Sequence, residues 1–409
     1  MTPEIRRARE GDVRAMFECM STAFLERFDA AKVAEEVKPL WDLDRTWVAL
    51  DGERVCGTFR SWATELTVPG GQRLPAAAVS AVTVLPTHRR RGILRSMVAA
   101  EHGAIRDRGE AIGLLYASEY PIYGRFGYGP GCRDANWTID THATSFHGPP
   151  ATGVEITTAS ANVAAAMKAV FETWRLRQPG ELRRRDHHWD YDIGLRQSAW
   201  GPPWKGYLAL HRDGSGEVDG YARYHADDKW EHGQPRSVVT VDELHGLTEE
   251  ASRSLWRYLV EMDWAGTVKA GRRSPSDRLP WLLTNLRAAE LSDVGDGLWV
   301  RLFDVPRALE ARTYEHEGSL VLEVVDAEAP GGRLRVLLEA GQDGATCRVT
   351  DRSPDLTLDV AALGAAYLGG TRLGDAVLAR GADEHRPGAL RAAERLLRTQ
   401  DEPWSSTFF

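Results

Sequence analysis

The stretch AVTVLPTHRRRGILRSMV, residues 81–98, decides how the first part of this chain folds. Its apolar start is the end of a strand predicted over about 76–84, and Pro86, which has no N–H for a sheet, ends that strand. Apolar residues then recur at helical spacing and predict a helix over about 90–106. Another buried strand is predicted at 111–118. Strand, helix and strand in this order form a right-handed crossover unit of an α/β sheet.

Three consecutive arginines, Arg89 to Arg91, stand at the start of this helix and are followed by Gly92. The first amide N–H groups of a helix have no intrahelical partner, and the peptide dipoles make that end electropositive. Arginines add charge-assisted hydrogen bonds, and glycine lets the backbone approach a phosphate closely. An arginine-rich helix start is more often a solvated surface, but its position after a strand favours a site for a polyanion.

Composition indicates a folded protein of two or three domains. The chain has 409 residues, of which 43% are hydrophobic and 27% charged. Its net charge of −8 argues against nucleic acid as a partner and suits cationic or amine ligands. The four cysteines have no metal-ligand spacing, so neither a zinc site nor a disulfide framework is predicted. No segment is long and apolar enough for a membrane helix, so a soluble cytoplasmic protein is expected.

Two later features divide the chain. A Gly- and Pro-rich segment, HGPPATGVEI at 147–156, marks the first boundary. The pattern after it echoes the first unit, but the turn DELHGLTEEA at 242–251 is acidic, so this second unit is not expected to bind phosphates. From about 292, strands and helices form a third α+β unit. The predicted domains are 1–148, 149–291 and 292–409.

Two motifs together resemble the enhanced intracellular survival (Eis) family of actinobacterial acetyltransferases, which begin with a GNAT acetyltransferase domain. They are AVTVLPTHRRRGILRSM and YASEYPIYGRFGYGP (116–130), supported by DGLWVRLFDVPRALEAR (296–312) and the C-terminal Phe409. The resemblance implies an α+β fold with an N-terminal GNAT domain, a second GNAT-like domain without cofactor and a C-terminal domain similar to sterol carrier proteins. It also implies acetyl-CoA as co-substrate, no metal and a homohexamer.

The resemblance also implies where acetyl-CoA binds. In GNAT folds two parallel strands splay apart and expose backbone groups to the pantetheine arm, here the strand ending at Val84 and the strand 111–118. A backbone N–H near Val82 would polarise the thioester carbonyl, and the helix start would hold the pyrophosphate. Leu94 departs from many GNAT loops, which carry a second small residue there. The residues implied at the cofactor are Val82, Val84, Arg89, Arg90, Gly92, Ile93, Leu94 and Ser118.

Acetyl transfer to an amine requires a deprotonated amine, a donor for the oxyanion and a proton for the departing thiolate. Tyr123 matches the family tyrosine that acts as general acid; an aromatic packed beside glycines is the alternative. By the same resemblance the terminal carboxylate of Phe409 is the base. Its ordinary pKa, near ~3.5, is far below that of an amine, so a desolvated pocket or a water relay is needed. Chain ends usually fray, but the aromatic Trp404, Phe408 and Phe409 argue against that here.

Acidic and aromatic residues are the candidates for acceptor binding. Glu26, Asp29 and Glu402 are suited to attract polycations such as polyamines or aminoglycosides, although a solvated surface carboxylate is the ordinary interpretation of each. Family members often have an acidic residue before the terminal phenylalanine, whereas this chain has Phe408, which argues against broad aminoglycoside acceptance. The predicted substrate-binding residues are Phe24, Glu26, Glu402 and Phe408.

These patterns predict an acetyl-CoA-dependent N-acetyltransferase that modifies primary amines of polycationic small molecules, aminoglycosides first among them. An acetyltransferase for protein lysine or for a peptide antibiotic is a second enzyme hypothesis. The rival of a different class is a non-catalytic carrier whose C-terminal domain binds lipid. Arg89, Gly92 and Tyr123 together argue against a vestigial acetyltransferase site.

Overall fold

The computed structural model describes residues 3–197, 201–341 and 344–409. They form an α+β fold with three main sheets and a short two-stranded hairpin. None of the helices in these ranges combines the length and apolar character that a bilayer crossing requires.

The helices and strands fall into three groups along the chain. The first group comprises β1 (Glu4–Arg7), α1 (Val13–Phe24), α2 (Ala30–Val37), β2 (Thr46–Asp51), β3 (Arg54–Thr67), β4 (Arg73–Val84), α3 (Ile93–Asp107), β5 (Ile112–Tyr116), α4 (Tyr120–Tyr123), β6 (Gly129–Pro130) and β7 (Arg133–Asp140). The second comprises β8 (Val154–Thr157), α5 (Ala161–Arg175), α6 (Asp186–Asp192), β9 (Tyr207–Arg212), β10 (Val218–Asp227), β11 (Trp230–Glu231), β12 (Gln234–Pro235), β13 (Ser237–Gly246), α7 (Glu249–Val260), β14 (Ala265–Arg273), β15 (Ala289–Asp296) and β16 (Leu298–Leu302). The third comprises α8 (Val305–Ala311), β17 (Gly318–Val325), β18 (Arg333–Gly341), β19 (Gly344–Val349), β20 (Leu356–Asp359), α9 (Val360–Ala366), α10 (Leu373–Leu378), β21 (Ala382–Glu384) and α11 (Ala389–Leu397).

The unit β4-α3-β5 forms as the opening stretch predicts, with one shift. α3 begins at Ile93, not near residue 90. The reason is local, because Arg90 and Gly92 have φ of 64° and 82°, which no right-handed helix can include. The apolar face of α3 packs against the first sheet and buries Met97, Val98 and Ile105 at helical spacing.

The second GNAT-like unit repeats this arrangement. β13 and β14 pair in parallel and are joined by α7, as β4 and β5 are joined by α3. The second sheet has the order β15-β7-β14-β13-β10-β9-β8, and the first has β1-β2-β3-β4-β5-β16-β6. The echo between the two units that the sequence predicts is therefore present in the fold.

Two strands cross the predicted domain limits. β7 lies within 1–148 but pairs with β14 and β15 in the second sheet. β16 lies within 292–409 but pairs with β5 and β6 in the first. Each strand thereby satisfies backbone groups that would be unpaired in its own unit. The limits remain predictions, and for these two strands they do not match the sheets.

The third sheet, β19-β18-β17-β20-β21, packs into one hydrophobic core with part of the first. Ile112 and Leu114 of β5 belong to the same buried cluster as Leu322 of β17. Polar contacts join the same two units. His102 of α3 bonds through Nδ1 to Glu328 Oε1 over 2.8 Å.

Candidate functional site

The strands β4 and β5 diverge in the middle of the first sheet. They pair in parallel only where residues 76–78 face 112–114. Beyond these pairs β4 continues beside β3, and a bulge sets one β3 residue, Phe59, opposite two β4 residues. Ala81, at this bulge, has φ of 51°. Backbone groups of both strands are therefore turned toward a gap instead of toward each other.

A cavity of about 250 Å³ lies in this gap. Several of the predicted site residues form its wall, which contains no acidic side chain among the described residues that line it. The lining residues are Phe24, Val79, Ser80, Ala81, Val82, Tyr116, Ala117, Ser118, Tyr123, Phe408 and Phe409.

The arginine turn follows β4 and precedes α3. Asp51 contacts two residues of this turn. Its carboxylate accepts a hydrogen bond from His88 Nε2 at 3.1 Å and lies 3.7 Å from the Arg91 guanidinium. Arg89 and Arg90 are exposed and form no ion pair within the described residues. The turn thus presents two uncompensated positive charges beside the first amides of a 15-residue helix.

Three predicted cofactor residues have side chains that point elsewhere. Ile93 is buried in the core of the first sheet, so only its backbone is available to a ligand. Val84 and Leu94 pack against the same core. Their predicted role is therefore limited to backbone contacts and to shaping the turn.

Tyr123 is nearly buried, with 9% of its surface exposed, and lines the cavity. Its phenol oxygen makes no hydrogen bond within the described residues. Burial, with a smaller contribution from the charge of Glu119, raises the pKa of Tyr123 to about 12. The phenol is therefore protonated at neutral pH and can donate toward the cavity. Tyr128 is buried, and its hydroxyl lies 3.2 Å from His102 Nε2.

The C-terminal segment is anchored by one buried carboxylate. Glu181 is 0% exposed, and its side chain accepts from the N–H and O–H of Ser406 at 2.7 Å each. It also accepts from the Ser405 hydroxyl at 3.2 Å and the Thr407 N–H at 3.3 Å. Arg184 Nε donates to Thr407 Oγ1 at 2.9 Å. The end of the chain is therefore not frayed.

The last two residues reach the cavity from this anchor. The Phe409 ring packs against Trp62 and Tyr116, with centroid distances of 5.4 and 5.2 Å. Phe408 is 54% exposed and lies beneath the Arg272 guanidinium, 3.5 Å from its carbon to the ring centroid. The structure thus brings the C-terminal residue to the same cavity as Tyr123.

The acidic residues predicted to attract the acceptor are not part of this cavity. Glu402 lies in a different cavity, where Arg133 neutralises it over 2.6 Å. Glu26 is exposed and does not line the wall, and Asp29 caps α2 by accepting from the N–H groups of Ala31 and Lys32. The predicted role of Glu26 and Glu402 in acceptor binding stays a prediction, and the wall of this cavity does not include either residue.

A larger cleft, of about 1120 Å³, lies beside α7 in the second GNAT-like unit. Two of its arginines are paired within the protein. Arg257 donates to the Gly148 carbonyl at 2.7 Å, and Arg273 pairs with Asp277 at the same distance. Glu249 and Glu250 open α7. That this unit binds no phosphate stays a prediction, which rests on this acidic turn.

Comparison with known proteins decides the family. The acetyltransferase (GNAT) domain profiles match residues 4–131 and 180–302, and the sterol carrier protein domain profile matches 305–406. The chain is 36% identical to N-acetyltransferase Eis of Mycobacterium tuberculosis over 414 residues, which cover 98% of this chain and 94% of that protein. The chain belongs to the Eis family of N-acetyltransferases. The predicted family, the three-part fold and the acetyltransferase class are thereby confirmed.

Other relatives of this Eis-family enzyme agree. An uncharacterized N-acetyltransferase of Streptomyces griseus is 42% identical over 376 residues, 90% of each chain. The crystal structure of Eis1 from Mycobacterium abscessus superposes with a TM-score of 0.86 at 33% identity and covers 99% of this chain and 100% of that one.

Sequence patterns do not reveal the residues that hold the tail of this family member. Glu181 and Arg184 lie in a charged run, GELRRRD, which resembles a solvated surface. Both are buried because the last residues of the chain cover them. A contact between residues more than 220 positions apart leaves no periodic signal in either segment.

Proposed function

We propose that this enzyme transfers the acetyl group of acetyl-CoA to a primary amine of a small molecule. One observation carries the proposal. The gap between β4 and β5 places Tyr123 and Phe409 on the wall of one cavity. The turn that follows β4 carries two arginines, Arg89 and Arg90, without an ion pair among the described residues. A splayed pair of strands with an acid at one side and a carboxylate at the other suits amine acetylation.

The residues of the gap fit acetyl-CoA. When bound, acetyl-CoA supplies a thioester whose carbonyl an amine can attack. Arg89 and Arg90 would hold its phosphates by charge, with the N–H groups that open α3. Gly92 has φ of 82° at the start of the helix, a conformation that favours glycine. Because glycine has no Cβ, a phosphate can approach this backbone closely. Val82 and Ser118 would contact the thioester arm from the two strands.

Tyr123 and Phe409 would handle the protons of the transfer. The phenol of Tyr123 would donate to the departing sulfur, since it is protonated and faces the cavity. The terminal carboxylate of Phe409 would accept the proton of the amine, directly or through water. Aromatic rings around Phe409 exclude solvent, which favours the uncharged form of an amine over its ammonium.

The nature of the acceptor stays a prediction. Polycationic amines such as aminoglycosides are suggested by the family, but the described cavity wall has no acidic side chain to bind them. The homohexamer and the cytoplasmic location predicted from the sequence likewise remain predictions.

Release of free thiol from acetyl-CoA with a panel of amines tests the proposed function. We expect amine-dependent release, with products that gain one acetyl mass per modified amine. The variant Arg89→Ala/Arg90→Ala should raise the KM for acetyl-CoA about 10-fold or more, because two charge-assisted contacts are lost. Arg391→Ala, at an exposed position of α11 in the third group, is the control and should keep that KM. No acetylation of any amine, combined with uptake of fluorescent lipid, would favour the carrier hypothesis instead.

A further inference from the structure

Two guanidinium groups lie beside Phe409 on the face of the sheet that bears Ser80. Arg60 of β3 is paired with Ser80 of β4, so the two side chains project from the same face. Trp62, two residues further on, shares that face and packs against the Phe409 ring at 5.4 Å. Arg185 lies over the Trp62 ring, with its guanidinium carbon 4.5 Å from the ring centroid.

The Arg60 guanidinium lies over the ring of Trp41 at 4.3 Å. The two cations therefore rest on the rings of two tryptophans, beside the C-terminal residue. A guanidinium that stacks on a ring keeps its N–H groups in its own plane. An anion at the edge of that plane can accept hydrogen bonds from them. Ser80, the cross-strand partner of Arg60, and Phe409, which packs against Trp62, both line the cavity.

Neither arginine has a carboxylate partner within the described residues. Arg185 donates to the Leu40 carbonyl at 3.3 Å, and the Nε of Arg60 is buried without a hydrogen bond. Asp42 is the acidic side chain whose charge acts on both, but it forms no ion pair with either and accepts from the Asp44 N–H at 3.1 Å. The two positive charges therefore have no paired carboxylate, and Asp42 compensates them only from a distance.

Two other enclosed arginines have carboxylate partners, and a third, Arg312, donates instead to the backbone carbonyls of Tyr367 and Leu397. Arg184 pairs with Glu243 at 2.6 Å, and Arg301 pairs with Asp326 at 3.0 Å. Arg60 and Arg185 differ from them. Burial, reinforced by the repulsion of Arg185, lowers the pKa of Arg60 to about 9, and burial also lowers the pKa of Arg185 to about 10.

The neighbouring histidines add no compensating charge. Burial, with neighbouring cations contributing, lowers the pKa of His187 to about 4 and of His188 to about 3, so both are neutral at pH 7. Two partly buried positive charges without a paired carboxylate lower the free energy of unfolding. Residues that destabilise a fold in this way are typical of ligand-binding sites.

We propose that Arg60 and Arg185 form a subsite for an anionic group, a carboxylate or a phosphate, carried by the amine acceptor. The subsite rests on the proposed function and narrows it. The preferred acceptor has an amine at one end and an anion at the other. The rings of Trp41, Trp62 and Phe409 near the two cations suit an acceptor with an aromatic or flat body.

Three amines of nearly equal shape test this subsite. They are 4-(aminomethyl)benzoate, 4-methylbenzylamine and 1,4-bis(aminomethyl)benzene, which carry a carboxylate, a methyl group and a second ammonium opposite the reacting amine. At saturating acetyl-CoA we expect kcat/KM for the benzoate to exceed that for 4-methylbenzylamine roughly 10-fold or more, with the diamine lowest. Arg60→Met and Arg185→Met should bring the benzoate-to-methyl ratio close to one. Arg183→Met, which removes a neighbouring exposed arginine, is the matched control and should keep the ratio.

A binding measurement separates the subsite from the transferase activity. Calorimetric titration of 4-methylbenzoate, with coenzyme A present to cover the arginine turn, should show binding to the unmodified enzyme and not to either methionine variant. If no amine is acetylated but this binding is found and lost as described, the subsite stands and the proposed function fails. If all three amines react equally, or the diamine is preferred, the subsite is refuted while the transferase stands. If Arg60→Met does not fold, the same kinetic and binding measurements on Arg185→Met alone test the subsite.

Discussion

At the scale of single residues, we expect acetyl transfer to depend most on Tyr123. Its pKa of about 12 keeps the phenol protonated below that pH, so this acid is not lost from the alkaline side of an ordinary pH profile. We expect Tyr123→Phe to lower kcat about 100-fold, within the usual range for a general acid, and to change the KM for acetyl-CoA little. Steady-state kinetics with both substrates measure this split.

Tyr128→Phe is the matched control for this prediction. Tyr128 lies 6.3 Å from Tyr123 between ring centroids and is equally enclosed, but its hydroxyl bonds His102 and does not line the cavity. We expect kcat to fall by only a few-fold. Equal losses in the two variants would mean that the pair has a packing role, and an unchanged kcat in Tyr123→Phe would remove the acid.

Short motifs allow the local geometry of single residues to be predicted. Tyr123 and Gly92 stand in glycine-rich turns whose local geometry is set by neighbours in the chain, and their roles stay predictions. The ion pair of Glu402 could not be predicted, because its partner, Arg133, lies 269 positions away. Arg60 was not predicted because an isolated charged residue in a strand pattern does not reveal whether a carboxylate will meet it.

At the scale of elements, the turn that opens α3 combines two left-handed residues with an exposed helix start. A Cβ on Gly92 would meet no atom within 4 Å, so Gly92→Ala changes mainly the backbone preference at φ of 82°. The strain is about 1 kcal/mol. We expect the KM for acetyl-CoA to rise several-fold, because the turn shifts away from the geometry that presents its amides, while the melting temperature falls by only a few degrees.

Gly103→Ala in the interior of α3 is the control for that substitution. A Cβ at Gly103 also meets no atom within 4 Å, and its φ is not in the left-handed region. Alanine favours a helix interior by about 1 kcal/mol over glycine, so stability should rise and the KM should not change. A KM raised equally in both variants would locate the effect in helix stability and not in the turn.

Periodicity predicted these elements well and their pairing poorly. The residues of α3, β4 and β5 follow from apolar spacing, and the shifted start of α3 follows from the two left-handed residues. That β7 joins the second sheet and β16 the first could not be predicted, because strand partners are chosen by three-dimensional proximity.

At the scale of the whole molecule, the chain end links distant parts of the fold. Trp404 donates to the Arg272 carbonyl at 2.8 Å, beside the second sheet, and the Tyr116 hydroxyl of the first sheet donates to the Thr407 carbonyl at 2.8 Å. Between them Glu181 fixes the backbone of 405–407. The position of Phe409 is therefore a property of the assembled sheets and not of any one domain.

The tail prediction follows from this anchor. Appending residues after Phe409 should move the carboxylate out of the cavity, and we expect kcat to fall about 100-fold or more, whereas an equal extension before residue 1 should have no such effect.

Glu181→Gln replaces an acceptor of several hydrogen bonds with an amide that also donates, so it should lower kcat and make the tail more sensitive to carboxypeptidase. In the extended enzyme the same substitution should cost little further activity, because the group that it positions is already displaced. Additive losses in kcat from the extension and from Glu181→Gln would assign Glu181 a purely structural role. Full activity of the extended enzyme would show that the terminal carboxylate is not the base.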